Sequence, residues 1–277
     1  MPHEIVAAMA ERRVTRMMVV PLLLRLLRPA LVRNPEAVES LRSLFSGGAP
    51  LGVELSQSYA ELEIPAYQGY GLTELSPAVS MNSARRNKLG SVGRPLTGTE
   101  IRIEAGEILV RSPGVMVGYW DDEPSTRKAI DPEGWFHTGD LGYLDSDGYL
   151  HVTGRGKNLV VLESGKKVSP EEVEAALAPS EMFAQVCVIG LPLTARRTSE
   201  EVCAVVVPTD DARANYPDAG KLMEAVEAEV GHRSRALSGY KRPTVVKVVE
   251  GPLPTTVKFS LRRADVLALV AKSRENR

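Results

Sequence analysis

Cysteine is scarce in this chain, whose 277 residues include two, Cys187 and Cys203. Two thiols cannot build a framework of several disulfides, and the sequence has no Cys-x-x-Cys pair or Cys/His cluster at zinc-site spacing. These features exclude a disulfide-rich secreted domain and a zinc-stabilised one. Because thiols stay reduced in the cytosol, we expect a cytoplasmic protein.

Excess charge of one sign is also missing, since 34 Lys and Arg balance 35 Asp and Glu. This balance excludes a globally basic nucleic-acid-binding protein, so no nucleic-acid partner is expected. The charge is nevertheless uneven, because residues 232–277 hold eleven Lys or Arg against three Asp or Glu. This basic stretch is either a solvated face or a docking surface for phosphate-bearing ligands or an acidic partner.

Long hydrophobic runs are absent as well. The most apolar stretch, residues 16–32, is interrupted by Pro21, Arg25 and Arg28, and it falls short of the roughly 20 apolar residues that a membrane-spanning helix needs. We therefore expect no transmembrane segment. The pattern favours a core helix bordered by arginines over a helix that lies on a membrane surface.

The length suggests about two domains of ~150 residues each, and the local patterns indicate a mixed α/β fold. The first part is expected to contain helices within 1–45 and at 52–63, a strand at 64–68, strands within 90–118, and a hairpin at 144–155 that turns at Asp147-Gly148. We place the domain boundary between residues 156 and 157.

Residues 157–277 are expected to form a small α+β domain. Ser169 followed by Pro170 predicts a helix start, with Glu172 three residues after the cap. The elements expected after it are strands at 184–192 and 201–209, a helix at 217–231 and a strand at 244–251.

The segment YQGYGLTELSP combines glycines, an aromatic ring and polar side chains. Gly69 and Gly71 bare the backbone on both sides of Tyr70, so that an exposed ring could stack on a flat ring such as adenine. Thr73 and Glu74 offer a hydroxyl and a carboxylate suited to phosphate and Mg²⁺. The alternative is a glycine-rich turn that starts a capped helix.

The segment GWFHTGDLGYLDSDGYLHVTGRGKN contains a second candidate site. Asp140 lies in a Thr-Gly-Asp turn, where its carboxylate could accept both hydroxyls of a ribose or simply form an Asx-turn. Arg155 is a candidate for ribose or phosphate, or an ordinary surface charge. Trp135 and Phe136 are expected in the core.

Together these segments resemble the adenylate-forming enzymes, which include acyl-CoA synthetases, aryl-CoA ligases, luciferases and peptide-synthetase adenylation domains. The motifs that carry the resemblance, in the family's order and spacing over nearly the whole chain, are SGGAPL, YQGYGLTE, GSVGRP, EILVRSPGVMVGYW, GWFHTGDLGYLDSDGYL and GRGKNLVVLESGKKVSPEEVE. The forms YGLTE and KNLVVLESGKKVSPEEVE are most similar to long-chain fatty acyl-CoA ligases.

The resemblance implies a fold and a reaction. Residues 1–156 would be the C-terminal portion of the family's large AMP-binding domain, which has α/β and β-barrel parts, and residues 157–277 its small mobile α+β domain. In the first half-reaction a carboxylate attacks the α-phosphate of ATP, giving acyl-adenylate and pyrophosphate. In the second, a thiol, usually of coenzyme A, attacks the acyl carbon and AMP leaves, after a rotation of the small domain.

The resemblance also implies roles for residues of the large domain. Gly48, Ala49 and Pro50 would border the adenine, Tyr70 would stack on it with Gly71 beside it, Thr73 would hold phosphate, Glu74 would bind Mg²⁺, and Asp140 would bind the ribose hydroxyls. The implied cofactors are ATP or AMP and Mg²⁺, with coenzyme A as co-substrate.

Three further roles are implied near the boundary and beyond it. Arg155 would lie beside the ribose, and Lys157 would fall at the hinge between the domains. Gly165 would lie in the hairpin that lines the pantetheine tunnel, where a side chain would obstruct the tunnel.

The sequence departs from the family in two places. The family's Ser/Thr/Gly-rich phosphate loop ending in Lys is not found in these residues, so we expect it N-terminal to Met1. The chain would then be a split-gene subunit, the product of a misassigned gene start, or a fragment. In LPTTVKFSLRR, Ser260 aligns with the family's adenylation lysine. Lys258 lies two residues earlier, ~6.6 Å away along a strand on the same face, and is the candidate catalytic lysine if a local shift brings it to the site.

The resulting hypothesis is a fragment or subunit of an ATP-dependent acyl-CoA ligase that acts on a carboxylic acid, in our interpretation a fatty acid. Its partners would be the acid, ATP, coenzyme A and a separate N-terminal half. One alternative is an adenylation module that loads a carrier protein. Another is a catalytically silent nucleotide-binding regulatory partner.

Overall fold

The computed structural model describes residues 2–193, 199–256 and 261–275. The chain forms two compact units, Met1–Val152 and Thr153–Arg277, called unit 1 and unit 2 below. Each unit contains both sheets and helices, which confirms the expected mixed α/β fold class.

The larger sheet of unit 1 has five strands. In spatial order they are β1 (Arg16–Val19), β2 (Ser43–Ser46), β3 (Ala66–Gly71), β4 (Ala78–Met81) and β5 (Arg94–Pro95). The first three run parallel, whereas β3 and β4, and β4 and β5, pair antiparallel. The carboxyl ends of β1, β2 and β3 therefore meet at one edge, which is where open α/β sheets bind ligands.

Four helices belong to this part of unit 1. They are α1 (Pro2–Glu11), α2 (Pro21–Val32), α3 (Pro35–Ser40) and α4 (Val53–Ala60). Leu24, Leu27 and Leu31 of α2 are fully buried at helical spacing and join the core that includes strand β2. Helix α3 begins at a capped end, since Asn34 Oδ1 accepts the backbone N–H of Ala37 at 3.3 Å.

A second sheet has four strands and belongs to unit 1 except for the last three residues of its final strand, which fall in unit 2. In spatial order they are β6 (Glu100–Glu104), β7 (Glu107–Arg111), β8 (Phe136–Leu144) and β9 (Leu150–Arg155), and helix α5 (Glu123–Ala129) lies between β7 and β8 in the chain. Trp135 and Phe136 are buried, as expected. Two guanidinium groups contact the Trp135 ring, those of Arg102 at 4.5 Å and Arg111 at 4.6 Å from its centroid. Trp120, by contrast, is 98% exposed.

Unit 2 is built on a three-stranded sheet of β12 (Phe183–Pro192), β13 (Glu200–Pro208) and β14 (Val245–Val248). The central β13 is antiparallel to β12 and parallel to β14. It is buried on both faces, because Val202, Ala204 and Val206 join one core and Cys203 and Val205 the other. A nearly continuous apolar run is typical of such a strand.

The remaining elements of unit 2 are a short hairpin and helices. The hairpin consists of β10 (Val160–Val161) and β11 (Lys167–Val168), and the helices are α6 (Pro170–Leu177), α7 (Asp210–Asn215), α8 (Ala219–Arg233) and α9 (Arg263–Glu275). The predicted cap of α6 is confirmed, since Ser169 Oγ accepts the backbone N–H of Glu172 at 3.4 Å. The predicted hairpin turn is also confirmed, with Gly148 at φ 76° and its N–H donated to Asp145 O at 2.9 Å.

One expectation was wrong, because residues 16–32 are not a single helix. Arg16–Val19 is strand β1, which pairs with β2, and the helix begins only at Pro21. A proline biases the residue before it toward extended geometry, and Val20 has φ −97° and ψ 154°. Within the described residues, the structure contains no helix with the length and apolar character needed to span a bilayer.

Candidate functional site

The Gly-Gly loop that follows β2 lies at the carboxyl edge of the parallel strands β1, β2 and β3. Ser46, the last residue of β2, pairs with Gln68 of β3, so the loop continues alongside the end of β3. A Cβ on Gly47 would lie 3.9 Å from the carbonyl oxygen of Gly69. Gly48 has φ 80° with open space around it, and Ala49 and Pro50 are also exposed. The predicted adenine-border residues therefore form an accessible rim next to β3.

Tyr70 and Asp140 are brought together although 70 residues separate them in the chain. The Tyr70 hydroxyl donates a hydrogen bond of 2.7 Å to Oδ2 of Asp140. The Asp140 residue is 3% exposed. Tyr70 is half-buried and packs against a core that includes Leu75 and Phe136. The ring is thus partly rather than fully exposed, since it packs on the core and its hydroxyl binds a buried carboxylate, and its stacking on adenine stays a prediction.

The position of Asp140 comes from an irregularity in strand β8. In the β7–β8 ladder, Leu109 pairs with His137 and Glu107 pairs with Leu141. A separation of two residues on β7 (109 − 107) therefore faces one of four residues on β8 (141 − 137). Gly139, within the irregular segment, has φ 68°. Asp140 lies in this bulge rather than in the expected turn. Bulges re-aim a side chain, and they are common next to functional sites.

Side-chain hydrogen bonds stabilise this bulge. The Thr138 hydroxyl donates to Ile108 O at 2.7 Å and accepts the backbone N–H of Asp140 at 3.0 Å. Glu107 Oε1 accepts the N–H of Gly139 at 2.9 Å. The Thr-Gly-Asp sequence therefore fixes the backbone conformation at Asp140.

Close packing between strands requires a glycine at position 71, which the sequence pattern did not reveal. A Cβ at this position would lie 1.7 Å from the carbonyl oxygen of Pro77, which is backbone at the start of β4. Gly71 pairs with Ala78 across a register shift in the β3–β4 ladder. The glycine is thus required for the close approach of two strands, and its assignment as a cofactor-binding residue stays a prediction.

Glu74 lies in a 3-10 turn, Thr73–Leu75, and not at the start of an α-helix. Its Oε1 is 3.3 Å from the hydroxyl of Tyr119, which donates the hydrogen bond. Burial raises the pKa of Tyr119 above its usual value, and the neighbouring Glu74 charge raises it further. Thr73 is exposed at the beginning of the turn.

The loop that contains Tyr119 also contacts the backbone of this turn. Met116 donates its N–H to Glu74 O at 2.8 Å, and a Cβ on Gly114 would lie 2.9 Å from Leu75 O. Tyr119 is the residue that the sequence analysis missed, although it belongs to the quoted motif EILVRSPGVMVGYW.

A magnesium ion shared with phosphate stays a prediction for unit 1, and Glu74 is the carboxylate that it would use. No group of three or more His, Cys, Asp or Glu among the described residues could hold a metal. A protein usually supplies one or two carboxylates to Mg²⁺, and substrate phosphates and waters complete the octahedron. A single half-buried carboxylate at Glu74 matches that chemistry.

Unit 2 contains the other predicted site residues. Arg155 ends β9 and is exposed, and Lys157 lies, also exposed, in the 3-10 turn Gly156–Asn158. Gly165 lies in the turn of the β10–β11 hairpin, where it has φ 77° and donates its N–H to Leu162 O at 2.8 Å. The hairpin at Gly165 is therefore present, whereas the hinge role of Lys157 and the tunnel stay predictions.

Lys258 and Ser260 lie outside the described residues, but Arg263 of the same motif is placed. The guanidinium Nη2 donates to Oε2 of Glu174 at 2.6 Å and lies 3.3 Å from Oε1 of Glu171. The remaining carboxylate oxygen of Glu174 accepts the N–H of Val188 at 2.8 Å. Burial raises the pKa of Glu174 to about 7, the charge of Glu171 adds to this, and Arg263 and the N–H oppose it.

Family models match both units. The AMP-binding enzyme model matches residues 1–120, and the model of the AMP-binding enzyme C-terminal domain matches residues 172–259. The chain belongs to the AMP-binding, or adenylate-forming, enzyme family. The resemblance seen in the sequence motifs is thereby confirmed.

Curated relatives of this chain include acyl-CoA ligases. Long-chain-fatty-acid–CoA ligase FadD15 of Mycobacterium bovis is 42% identical over 170 residues, which is 61% of this chain and 27% of the relative. Feruloyl-CoA synthase of an Amycolatopsis species is 33% identical over 278 residues, which is 96% of this chain and 54% of the relative. The chain thus spans 27% and 54% of the length of these two relatives.

Solved structures of the family share the fold. O-succinylbenzoate coenzyme A synthetase (MenE) from Bacillus subtilis, in complex with ATP and magnesium ion, superimposes with a TM-score of 0.78 at 29% identity. The match covers 95% of this chain and 54% of that chain.

Proposed function

We propose that this chain is the nucleotide-binding C-terminal part of an ATP-dependent acyl-CoA ligase that forms an acyl-adenylate. The observation that supports it most directly is the Tyr70–Asp140 pair, because an aromatic ring and a buried carboxylate meet beside the exposed loop of Gly48, Ala49 and Pro50. The ring suits a purine and the carboxylate suits ribose hydroxyls. These chemistries match AMP, the part of ATP that stays on the acyl group.

Glu74 and Thr73 are proposed to act on the phosphate side. Mg²⁺, when bound, neutralises the charge that develops on the α-phosphate as the carboxylate attacks. Glu74 would hold the ion through its carboxylate, and the exposed Thr73 hydroxyl would donate to a phosphate oxygen. Preorganised donors of this kind lower the barrier because they need no rearrangement when the charge appears.

A fatty acid is the proposed acyl substrate and coenzyme A the proposed acceptor. The fatty acid rests on the forms YGLTE and KNLVVLESGKKVSPEEVE and on the 42% identity to a long-chain-fatty-acid–CoA ligase. The anionic acceptor is supported by the basic residues within 232–277. We further propose that Lys157 is the hinge, that Gly165 lines the thiol channel, and that the protein is cytoplasmic.

Calorimetric titration of the purified chain with AMP tests the nucleotide site. We expect saturable binding that Tyr70→Ala weakens about 5- to 150-fold, the scale of a lost aromatic–base stacking contact. Tyr216→Ala is a matched control, because Tyr216 of unit 2 is 39% exposed and has no proposed nucleotide contact. Equal AMP affinity of wild type and Tyr70→Ala would contradict the proposed site.

A further inference from the structure

We propose that the hydroxyl of Tyr70 positions the carboxylate of Asp140, so that one side chain acts on both the base and the ribose of a bound nucleotide. The inference rests on the proposed function, because it takes Asp140 as the ribose-binding group. It adds a role for Tyr70 that ring stacking alone does not provide. Tyr70 is in this respect a positioning residue for Asp140.

The geometry of the pair supports this role. The O–H···O distance of 2.7 Å lies at the optimum for such bonds. Asp140 is buried, and a buried carboxylate that lacks donors is strongly disfavoured. The backbone of Asp140 is already held by Thr138, so the Tyr70 hydroxyl acts on the rotation of the carboxyl group itself.

The hydrogen-bonding capacity of a carboxylate allows this bond and a ribose contact to coexist. Two carboxylate oxygens offer about four acceptor positions, and a phenol donates one proton. The Tyr70 hydroxyl therefore uses a small part of the capacity of Asp140 while fixing its orientation. A ligand that has ribose hydroxyls should sense the loss of the Tyr70 hydroxyl, whereas a ligand without them should not.

The decisive experiment compares two ligands on wild type, two single variants, their double variant and a control variant of the full chain. Tyr70→Phe keeps the ring and removes the hydroxyl, and the ligands are AMP and 2′,3′-dideoxy-AMP. We expect Tyr70→Phe to weaken AMP about tenfold, as for one lost hydrogen bond, and to leave dideoxy-AMP within about twofold. Asp140→Asn should weaken AMP as well, and adding Tyr70→Phe to it should cause little further loss. Tyr216→Phe is the matched control.

Two outcomes of the binding experiment would overturn the inference. One is equal weakening of both ligands by Tyr70→Phe, which would indicate a general structural effect, and the other is unchanged AMP affinity. If wild type binds neither ligand, the proposed function fails. The positioning role is then tested by the urea midpoints of unfolding of wild type, the two single variants and the double variant without ligand. A double variant that shifts the midpoint by less than the sum of the single shifts supports positioning of Asp140 by Tyr70, and additive shifts overturn it.

Discussion

The hydroxyl of Tyr119 lies 3.3 Å from Oε1 of Glu74, and Met116 of the same loop binds the backbone of Glu74. The loop is itself held by helix α5, since Thr126 Oγ1 accepts the N–H of Tyr119 at 2.9 Å. Both the backbone and the carboxylate of the proposed Mg²⁺ ligand are therefore held by one loop of unit 1.

Replacing Glu74 should lower the pKa of Tyr119. Burial is the main cause of the raised pKa, and the Glu74 charge and hydrogen bond add to it. In Glu74→Gln we therefore expect the pKa to fall toward, but not to, the ordinary value of 10.0. Absorbance titration of the phenolate measures this, with Tyr119→Phe identifying the signal and Glu39→Gln as a remote control. An unchanged titration would refute the contact.

Glu174 should make the chain less stable as the pH rises through the window from 4.5 to about 7. The folded-state pKa of Glu174 is about 7, whereas its ordinary value is 4.5. Within that window the folded chain keeps a proton that the unfolded chain has released, so raising the pH lowers the free energy of unfolding. The shift of about 2.5 pH units (7 − 4.5) corresponds to roughly 3 kcal/mol at most.

Urea unfolding followed by circular dichroism at pH 5 and pH 7.5 measures this effect. Glu174→Gln should remove most of the stability difference between the two pH values, and Glu227→Gln, on the exposed side of α8, should keep it. The same difference in wild type and Glu174→Gln would show that Glu174 is not its source.

Gly71→Ala should destabilise unit 1. The added methyl would lie 1.7 Å from Pro77 O, which is backbone and cannot rotate away. Overpacking of this kind costs about 1–3 kcal/mol or more. Gly231→Ala offers a contrast, because it lies in α8 with open space around it and should gain about 0.5–1 kcal/mol from helix propensity. Chemical unfolding of both variants gives the comparison, and a neutral Gly71→Ala would contradict the strand contact.

The last prediction concerns Ser260 and Lys258. We expect Ser260→Lys to raise the adenylation rate of a completed enzyme, since a preorganised charged donor is worth about 10²- to 10³-fold in rate, and Lys258→Ala to change little. The enzyme would be completed by fusing the chain to the part of feruloyl-CoA synthase that it does not match. Pyrophosphate exchange measures adenylation. Thiolation, measured from synthetic acyl-adenylate and coenzyme A, serves as the control. The reverse pattern would assign the role to Lys258.

Local signals predicted the parts of the fold that short-range chemistry decides. Ser169 caps α6 because a hydroxyl next to Pro170 is a strong helix start, and Gly148 takes the positive φ that the hairpin turn requires. The beginning of α2 was misjudged because the short run of apolar residues at 17–19 suits a strand and a helix equally well.

The candidate site was predicted as a set of residues, but not as a geometry. Sequence motifs identified Tyr70 and Asp140 separately, whereas the 2.7 Å bond between them depends on packing across 70 residues of chain. The bulge at Asp140 and the contact of Glu74 with Tyr119 likewise depend on packing between distant parts of the chain. Tyr119 could have been proposed from its motif, but only the fold shows which carboxylate it faces.

Both tryptophans of the chain lie in unit 1, and their surroundings differ sharply. Trp135 is buried and contacts the guanidinium groups of Arg102 and Arg111, whereas Trp120 is almost fully exposed. Since residues 153–277 contain no tryptophan, fluorescence excited at tryptophan wavelengths reports on unit 1 alone. An aqueous quencher should reach Trp120 first and Trp135 only as unit 1 opens. Tryptophan fluorescence can therefore follow the unfolding of unit 1 separately from that of unit 2.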